Sequence, residues 1–258
     1  MNLIEIKSPA KLNLHLQVLN RRLDGFHNIS SLFTLIDITD GMSFKRTDKY
    51  IDLVESTPIK DNIVQKAAML LKENYGVSKG VTINLSKSIP DQKGLGGGSS
   101  NAASTLLCLN KLWDLDLTQL ELQSLALQLG SDVPFFIYGK TAWAEGRGEL
   151  LSNFQYKERF FILIFPDEKI NTKEAFNSFK IKDDVQLKKE NFHDDLSFNS
   201  FEKWARNKYS NINSLFRKFE SIGKPRLSGT GSTIFIEFDS EDQARLVLKR
   251  NPELVFVK

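Results

Sequence analysis

The chain has 258 residues, 41% apolar and 26% charged, which is the composition of an ordinary globular protein with enough core for one or two domains. Its 35 basic and 32 acidic residues leave a net charge of +3, too balanced to argue for a nucleic-acid partner and equally suited to a small anionic substrate. The single Cys108 excludes an internal disulfide, three histidines leave little for a protein zinc site, and the longest apolar run, Phe160 to Phe165, is far too short to span a membrane. Glu5, Lys7 and Pro9 interrupt the N-terminus, so no signal peptide is read and a reducing, cytoplasmic setting is expected.

Residues 10–19 alternate, with Leu12, Leu14, Leu16 and Val18 facing one way and Lys11, Asn13, His15 and Gln17 the other, which predicts a half-buried strand. Asp24-Gly25 marks a turn over Arg21 to His27, and Ile29 to Ile38 resumes as strand. After Pro58, Asn62 to Asn74 predicts a helix with Ile63, Ala67, Leu70 and Leu71 facing inward. Residues 81–86 read as a strand, Ser100 to Leu112 as a helix, and Thr118 to Leu129 as another helix ending at a C′ glycine, Gly130.

Trp143 to Glu149 reads as a turn-rich connection. Phe160 to Phe165 is a strand, Lys173 to Phe179 a helix, and Lys180 to Asp195 a polar surface loop. Phe201, Trp204, Leu215, Phe216, Phe219 and Ile222 mark helical spacing interrupted around Asn211. Thr233 to Phe238 is a strand, and Ser240 to Arg250 a helix. Strands and helices mix without a regular βαβ rhythm, which favours α+β over a doubly wound sheet.

The strand Val81, Ile83, Leu85 feeds Ser86-Lys-Ser-Ile-Pro-Asp-Gln-Lys-Gly-Leu-Gly-Gly-Gly-Ser-Ser-Asn101, with glycines at Gly94, Gly96, Gly97 and Gly98, and a helix follows at once. Glycine lets backbone approach a ligand closely, and a helix N-terminus presents unpaired N–H groups and partial positive charge to a phosphate. The segment therefore points to a nucleotide, ATP first, with the short side chains of Ser99, Ser100 and Asn101 able to hold a cap, a phosphate or a metal ion. It is neither of the familiar phosphate signatures. Ser99 stands where a P-loop needs lysine, and also where a dinucleotide motif needs its third glycine.

Three further features could meet that loop. Lys11 and Asn13 share one strand face, which could equally be a solvated face. Asp132, in Gly130-Ser-Asp-Val-Pro134, lies past a helix end and could equally be a turn or capping residue. Arg226-Leu-Ser-Gly-Thr-Gly-Ser-Thr233 is a second small-residue turn, which could equally be a tight junction into the next strand.

Pro9-Ala-Lys-Leu-Asn-Leu14, Gly94-Leu-Gly-Gly-Gly-Ser-Ser-Asn-Ala-Ala103 and Leu227-Ser-Gly-Thr-Gly-Ser232 together resemble the three motifs of the GHMP kinases. Supporting segments are Asp24-Gly-Phe-His27, Leu112-Trp113, Leu129-Gly-Ser-Asp-Val-Pro-Phe135, Ala144-Glu-Gly-Arg-Gly-Glu149 and Asn171-Thr-Lys-Glu-Ala-Phe176. They are most similar to the branch whose acceptor is a CDP-linked methylerythritol of the non-mevalonate isoprenoid pathway. The resemblance runs from about Pro9 to Phe238.

The resemblance implies a two-domain α+β GHMP kinase-like fold, 1–152 and 153–258, with the active site in the interdomain cleft. It implies ATP and Mg²⁺, with Asp132 as general base and Lys11 as its catalytic partner. The triphosphate would be wrapped by Pro90, Asp91, Gln92, Lys93, Gly94, Leu95, Gly96, Gly97, Gly98, Ser99 and Ser100, with Mg²⁺ bridging phosphate oxygens and no protein metal site. His27 would read the cytosine edge, Phe26 and Phe176 would stack on its faces, and Asn13 would touch the substrate near the reacting end.

Asp91-Gln92-Lys93 departs from the small or glycine-rich run usual in the family, and Lys93 could reach a phosphate or the adenine region. Phe26 stands where tyrosine is usual, and His193-Asp194-Asp195-Leu196 replaces a commoner Asn-Asp-Leu pattern and is given no role. The expected partner is a small molecule, with neither nucleic acid nor membrane, in a monomer or homodimer. The rival readings are a kinase of the same fold for another small alcohol, mevalonate-like or a sugar, and a non-catalytic nucleotide-binding module. The His27, Phe26 and Phe176 set argues against the first, and the joint presence of Lys11 and Asp132 against the second.

Overall fold

The computed structural model describes residues 2–55, 61–179 and 186–258, so Pro58 and residues 180–185 of the expected polar loop lie outside it. The chain runs through β1 (Leu3–Arg21), β2 (His27–Thr47), β3 (Ile51–Glu55), α1 (Ile63–Asn74), β4 (Gly80–Ser86), α2 (Gly97–Leu112), α3 (Gln119–Leu129) and α4 (Val133–Tyr138). It continues through β5 (Ala142–Glu145), β6 (Leu150–Asn153), β7 (Phe160–Ile164), α5 (Thr172–Ser178), α6 (Glu202–Lys208), α7 (Ser210–Phe219), β8 (Arg226–Leu227), β9 (Ile234–Phe238), α8 (Glu241–Arg250) and β10 (Val255–Val257). The mixture is α+β, organised as two compact units. Strands β1 and β2 pass through both, so neither unit is a continuous stretch of chain.

The first unit comprises Met1–Ala10, Ile38–Pro90 and Gly96–Lys140. Here β2 pairs antiparallel with β4 from Gly41↔Ser86 to Thr47↔Gly80, and β4 pairs in parallel with β3 from Ile51↔Val81 to Glu55↔Leu85. Parallel neighbours need a crossover, and α1 supplies it. Asn62 starts α1 by accepting the Val64 N–H at 2.9 Å. The buried stripe of α1 is Val64, Ala67, Ala68 and Leu71, one step round from the expected face because Ile63 and Leu70 lie at its margin.

Helix α2 is the centre of this unit, with α1, α3 and α4 packed on it. Its start buries Ser100 to Leu106, and the small residues Ala102, Ala103 and Ser104 allow that close packing. It begins at Gly97 rather than Ser100, so the last part of the glycine run is helical. Helix α3 carries a capping box between Thr118 and Glu121. Gly130 ends it at φ 170°, an extended conformation open to any residue, so the expected left-handed cap is not formed.

The second unit comprises Lys11–Asp37, Asp91–Leu95 and Thr141–Lys258. In it β2 pairs antiparallel with β5 from Ser31↔Ala144 to Phe33↔Ala142, and β5 with β6. The stretch around Trp143, expected as a turn, is thus a hairpin, because Ala142, Trp143 and Ala144 find strand partners and are fully buried. A four-stranded antiparallel sheet runs β10-β7-β9-β8, with Phe160↔Phe238 and Ile164↔Ile234 in register. Helix α8 packs on its strands. The break between α6 and α7 falls at Tyr209, ahead of Asn211.

The expectation of a half-buried opening strand is corrected. From Lys11 to Val18 every residue of β1 is buried, the polar set as well as the leucines.

Candidate active site

Two polar residues open the second unit on β1. Lys11 and Asn13 are each 4% exposed, and a buried polar group needs partners to replace water. The Lys11 ammonium donates to Asn13 Oδ1 and lies 5.3 Å from the centroid of the Phe33 ring. Asn13 Nδ2 donates to Ser31 Oγ at 3.0 Å, which donates in turn to the His15 carbonyl at 2.5 Å. The solvated-face alternative for these residues does not hold.

The same strand meets the first half of the glycine loop and the Leu227–Thr233 turn. The Lys11 N–H donates to the Leu95 carbonyl at 3.0 Å. The Asn13 N–H donates to Ser228 Oγ at 3.2 Å, and Ser228 Oγ donates to the Gly94 carbonyl at 3.0 Å. Gly94 has φ 75°, and a Cβ there would lie 2.3 Å from the Ser228 carbonyl oxygen, so only glycine fits. Segments separated by more than 200 residues are thereby knitted into one polar centre.

The residues expected around cytosine also belong to this unit. His27 and Phe176 lie with ring centroids 5.3 Å apart, and Phe176 packs edge-on against Phe201 at 4.8 Å. Phe26, 47% exposed on the turn, lies under the Arg147 guanidinium at 4.4 Å. Burial, then the charge of Arg21, lowers the His27 pKa, which favours a neutral imidazole with one donor and one acceptor nitrogen. Such a ring matches the mixed donor–acceptor edge of a nucleobase.

The first unit holds the second half of the loop. Gly96 adopts φ 71° at the start of α2, and no side chain caps that helix. Its first N–H groups therefore face the loop as an anion-binding end. Asp40 fixes this end in place. It is fully buried and accepts from Ser88 N–H at 2.7 Å, Ile89 N–H at 2.8 Å, Lys87 Nζ at 2.6 Å and Asn101 Nδ2 at 2.9 Å. Ser100 Oγ is within 2.7 Å of Ser8 Oγ, which accepts from Ser104 Oγ at 3.0 Å. Ser100 and Asn101 are thus committed to buried partners, and Ser99 is the half-buried one of the three.

Asp132 stands at the start of α4, also in this unit, with φ −85° and ψ −14°. Its carboxylate makes no capping bond to that helix, so the capping alternative is not realised. Helix α4 is held by α3 at both ends, where Gln123 Nε2 donates to the Pro134 carbonyl at 3.5 Å and Gln119 Nε2 to the Ile137 carbonyl at 2.9 Å. Among the described residues no cluster of three His, Cys, Asp or Glu could hold a metal ion. An open hollow of about 650 Å³ lined by Lys7, Met42, Glu55 and Asn84 contains none of the predicted site residues.

Sequence reasoning missed Asp40 and Asn199, and gave no role to Arg226 at the head of the turn it singled out. Asp40 bonds to partners 47 to 61 residues away. Asn199 donates to the carbonyls of Leu227 at 2.7 Å and Gly229 at 2.8 Å, holding the turn on either side of Ser228. Arg226 donates to the Leu14 carbonyl at 3.2 Å and to Ser197 Oγ at 2.7 Å. No local pattern marks these roles, since each residue acts across the fold.

The family model described as GHMP kinases N terminal domain matches residues 62–140, and the one described as GHMP kinases C terminal matches residues 180–255. A 4-diphosphocytidyl-2-C-methyl-D-erythritol kinase of Paraburkholderia xenovorans is 39% identical over 260 residues, covering 95% of this chain and 89% of its own. One of Acinetobacter baylyi is 38% identical over 263 residues, covering 97% and 92%. A crystal structure of a 4-(cytidine 5'-diphospho)-2C-methyl-D-erythritol kinase superposes with a TM-score of 0.85 at 30% identity, covering 98% of this chain and 99% of that one.

Proposed function

Because the chain belongs to the GHMP kinases, and within them to the 4-diphosphocytidyl-2-C-methyl-D-erythritol kinases, we propose that it transfers the γ-phosphoryl group of ATP to the 2-hydroxyl of 4-diphosphocytidyl-2-C-methyl-D-erythritol, a step of the non-mevalonate route to isoprenoids. The observation that carries the assignment of roles is the knitting of β1, the loop at Gly94–Leu95 and the turn at Ser228 into one buried polar centre.

ATP is the phosphate donor. Phosphoryl transfer asks a protein mainly to align the acceptor hydroxyl with the γ-phosphate and to stabilise the charge on the transferring group. The loop from Pro90 to Ser100 would take the triphosphate, through glycine backbone and the uncapped start of α2. Lys11 would lie against the transferring group, its ammonium held in place by Asn13. Asp132, at the start of α4, would orient the hydroxyl and accept its proton. His27 would bond the cytosine edge, with Phe176 and Phe26 against its faces and Asn13 toward the reacting end.

Mg²⁺ would be held mainly by phosphate oxygens of the nucleotide, since no cluster of three His, Cys, Asp or Glu stands among the described residues, and the half-buried Ser99 hydroxyl would be the protein oxygen offered to it. When bound it neutralises phosphate charge.

The purified chain, given Mg-ATP and a panel of the CDP-linked methylerythritol, mevalonate and sugar alcohols, should release ADP with the first alone. Release only with an acceptor lacking cytidine would overturn the proposal.

A further inference from the structure

Lys93 lies in the part of the loop where this chain carries a long charged side chain, yet the residue is only 9% exposed. Its ammonium donates to the carbonyl oxygens of Pro166 and, at 2.9 Å, of Glu168, in the segment that follows β7. Both acceptors are main-chain atoms, so the contact fixes backbone to backbone through one side chain. The Lys93 main chain is held as well, since its carbonyl accepts from the Thr233 N–H at 3.1 Å. Ser232 Oγ donates to the same Glu168 carbonyl, closing a ring of contacts between the loop, the Pro166–Glu168 segment and the start of β9.

The backbone on either side of Lys93 is left-handed, with φ 55° at Gln92 and 75° at Gly94. Glutamine keeps that conformation only where its surroundings enforce it. Burial of the ammonium lowers the Lys93 pKa, an effect that the nearby Asp167 and Glu168 charges oppose. Two carbonyl lone pairs replace part of the lost hydration.

We propose that Lys93 is a positioning residue that fastens the first half of the glycine loop to the Pro166–Glu168 segment, so that the loop has its binding shape before ATP arrives. Its ammonium serves ATP through the shape of the loop and not by contact with a phosphate. This rests on the reading of the loop as the triphosphate site. A preshaped loop binds more tightly because less ordering remains to be done on binding.

Hydrogen exchange on the unliganded full chain should show the amides of Thr233 and Lys11, which donate to the Lys93 and Leu95 carbonyls of the loop, protected as strongly as those of neighbouring β9. Lys93→Met should speed that exchange and raise the KM for ATP about tenfold. Its kcat and its KM for the acceptor should stay within about twofold, because saturating ATP reimposes the shape of the loop. Lys93→Arg, which keeps a cation for the two carbonyls, should recover most of the ATP KM. Rapid exchange of the Thr233 and Lys11 amides in the unliganded wild-type chain would overturn the proposal. So would an unchanged ATP KM in Lys93→Met, or a loss of kcat at saturating ATP with KM unchanged, which would place the ammonium on the transferring phosphoryl group. If Lys93→Met does not fold, the wild-type exchange decides alone. A chain that released no ADP with the CDP-linked acceptor would contradict the proposed function, while exchange would still read the fastening.

Discussion

A buried ammonium needs lone pairs or a ring face in place of water, and Lys11 has both in Asn13 Oδ1 and Phe33. In the proposed reaction the acceptor's proton goes to Asp132. Asp132→Ala should lower kcat by about 10²–10⁴ while ATP affinity stays within a few-fold, measured by ADP release and by nucleotide titration. Wild-type-like turnover would remove Asp132 from the base role. His15, further along the same strand, is fully buried and stacked on Trp143 at 5.7 Å, and its Nδ1 accepts from the Phe198 N–H at 3.4 Å. Burial, and then the charge of Arg226, push its pKa from 6.5 to about 4. Between those values the unfolded chain binds a proton that the folded one refuses. Stability from this group is therefore full above pH 6.5 and lost as pH falls toward 4, by up to about 3 kcal/mol. Urea midpoints across that range should show the loss, and His15→Phe should flatten it; the same slope in both proteins would point to other groups.

Among the elements, α2 has its N-terminal end set by strand β2, through Asp40, 61 residues before its partner Asn101. The Asp40 carboxylate satisfies two loop N–H groups and the Lys87 ammonium together, so the loop's entry and the helix start share one anchor. Asp40→Asn keeps the shape but takes the negative charge from beside Lys87. It should cost about 2–3 kcal/mol of stability in urea unfolding and raise the ATP KM. Unchanged values of both would show that the anchor is dispensable. The ladder at β5 and β6 makes a related point. The glycines at 146 and 148 suggest a turn, and a turn does lie there, but the residues before it pair as strand because β2 offers an edge to them.

At the scale of the whole molecule, nucleotide binding is linked to folding. Mg-ATP at about a hundred times its Kd should stabilise the chain by about 2.7 kcal/mol, seen as a rise in Tm. Mg²⁺ alone should give no such rise, since no metal-binding cluster exists among the described residues, and EDTA should shrink the effect of ATP. A rise with Mg²⁺ alone would reveal a protein-held metal.

The motifs around Lys11, Gly94–Ser100, Asp132 and Ser228 were legible in the sequence, and so were the α+β class and most helix starts. Each of these signals is local. Glycine spacing, strand alternation and capping side chains act within a few residues and leave their mark in the order of the chain. The tertiary structure alone decided that both faces of β1 are buried, that the Lys93 ammonium goes to backbone carbonyls, and that Asp40, Asn199 and Arg226 hold the site. Burial and long-range hydrogen bonding depend on which distant segments fold against a residue, and no local pattern of residue types records that choice.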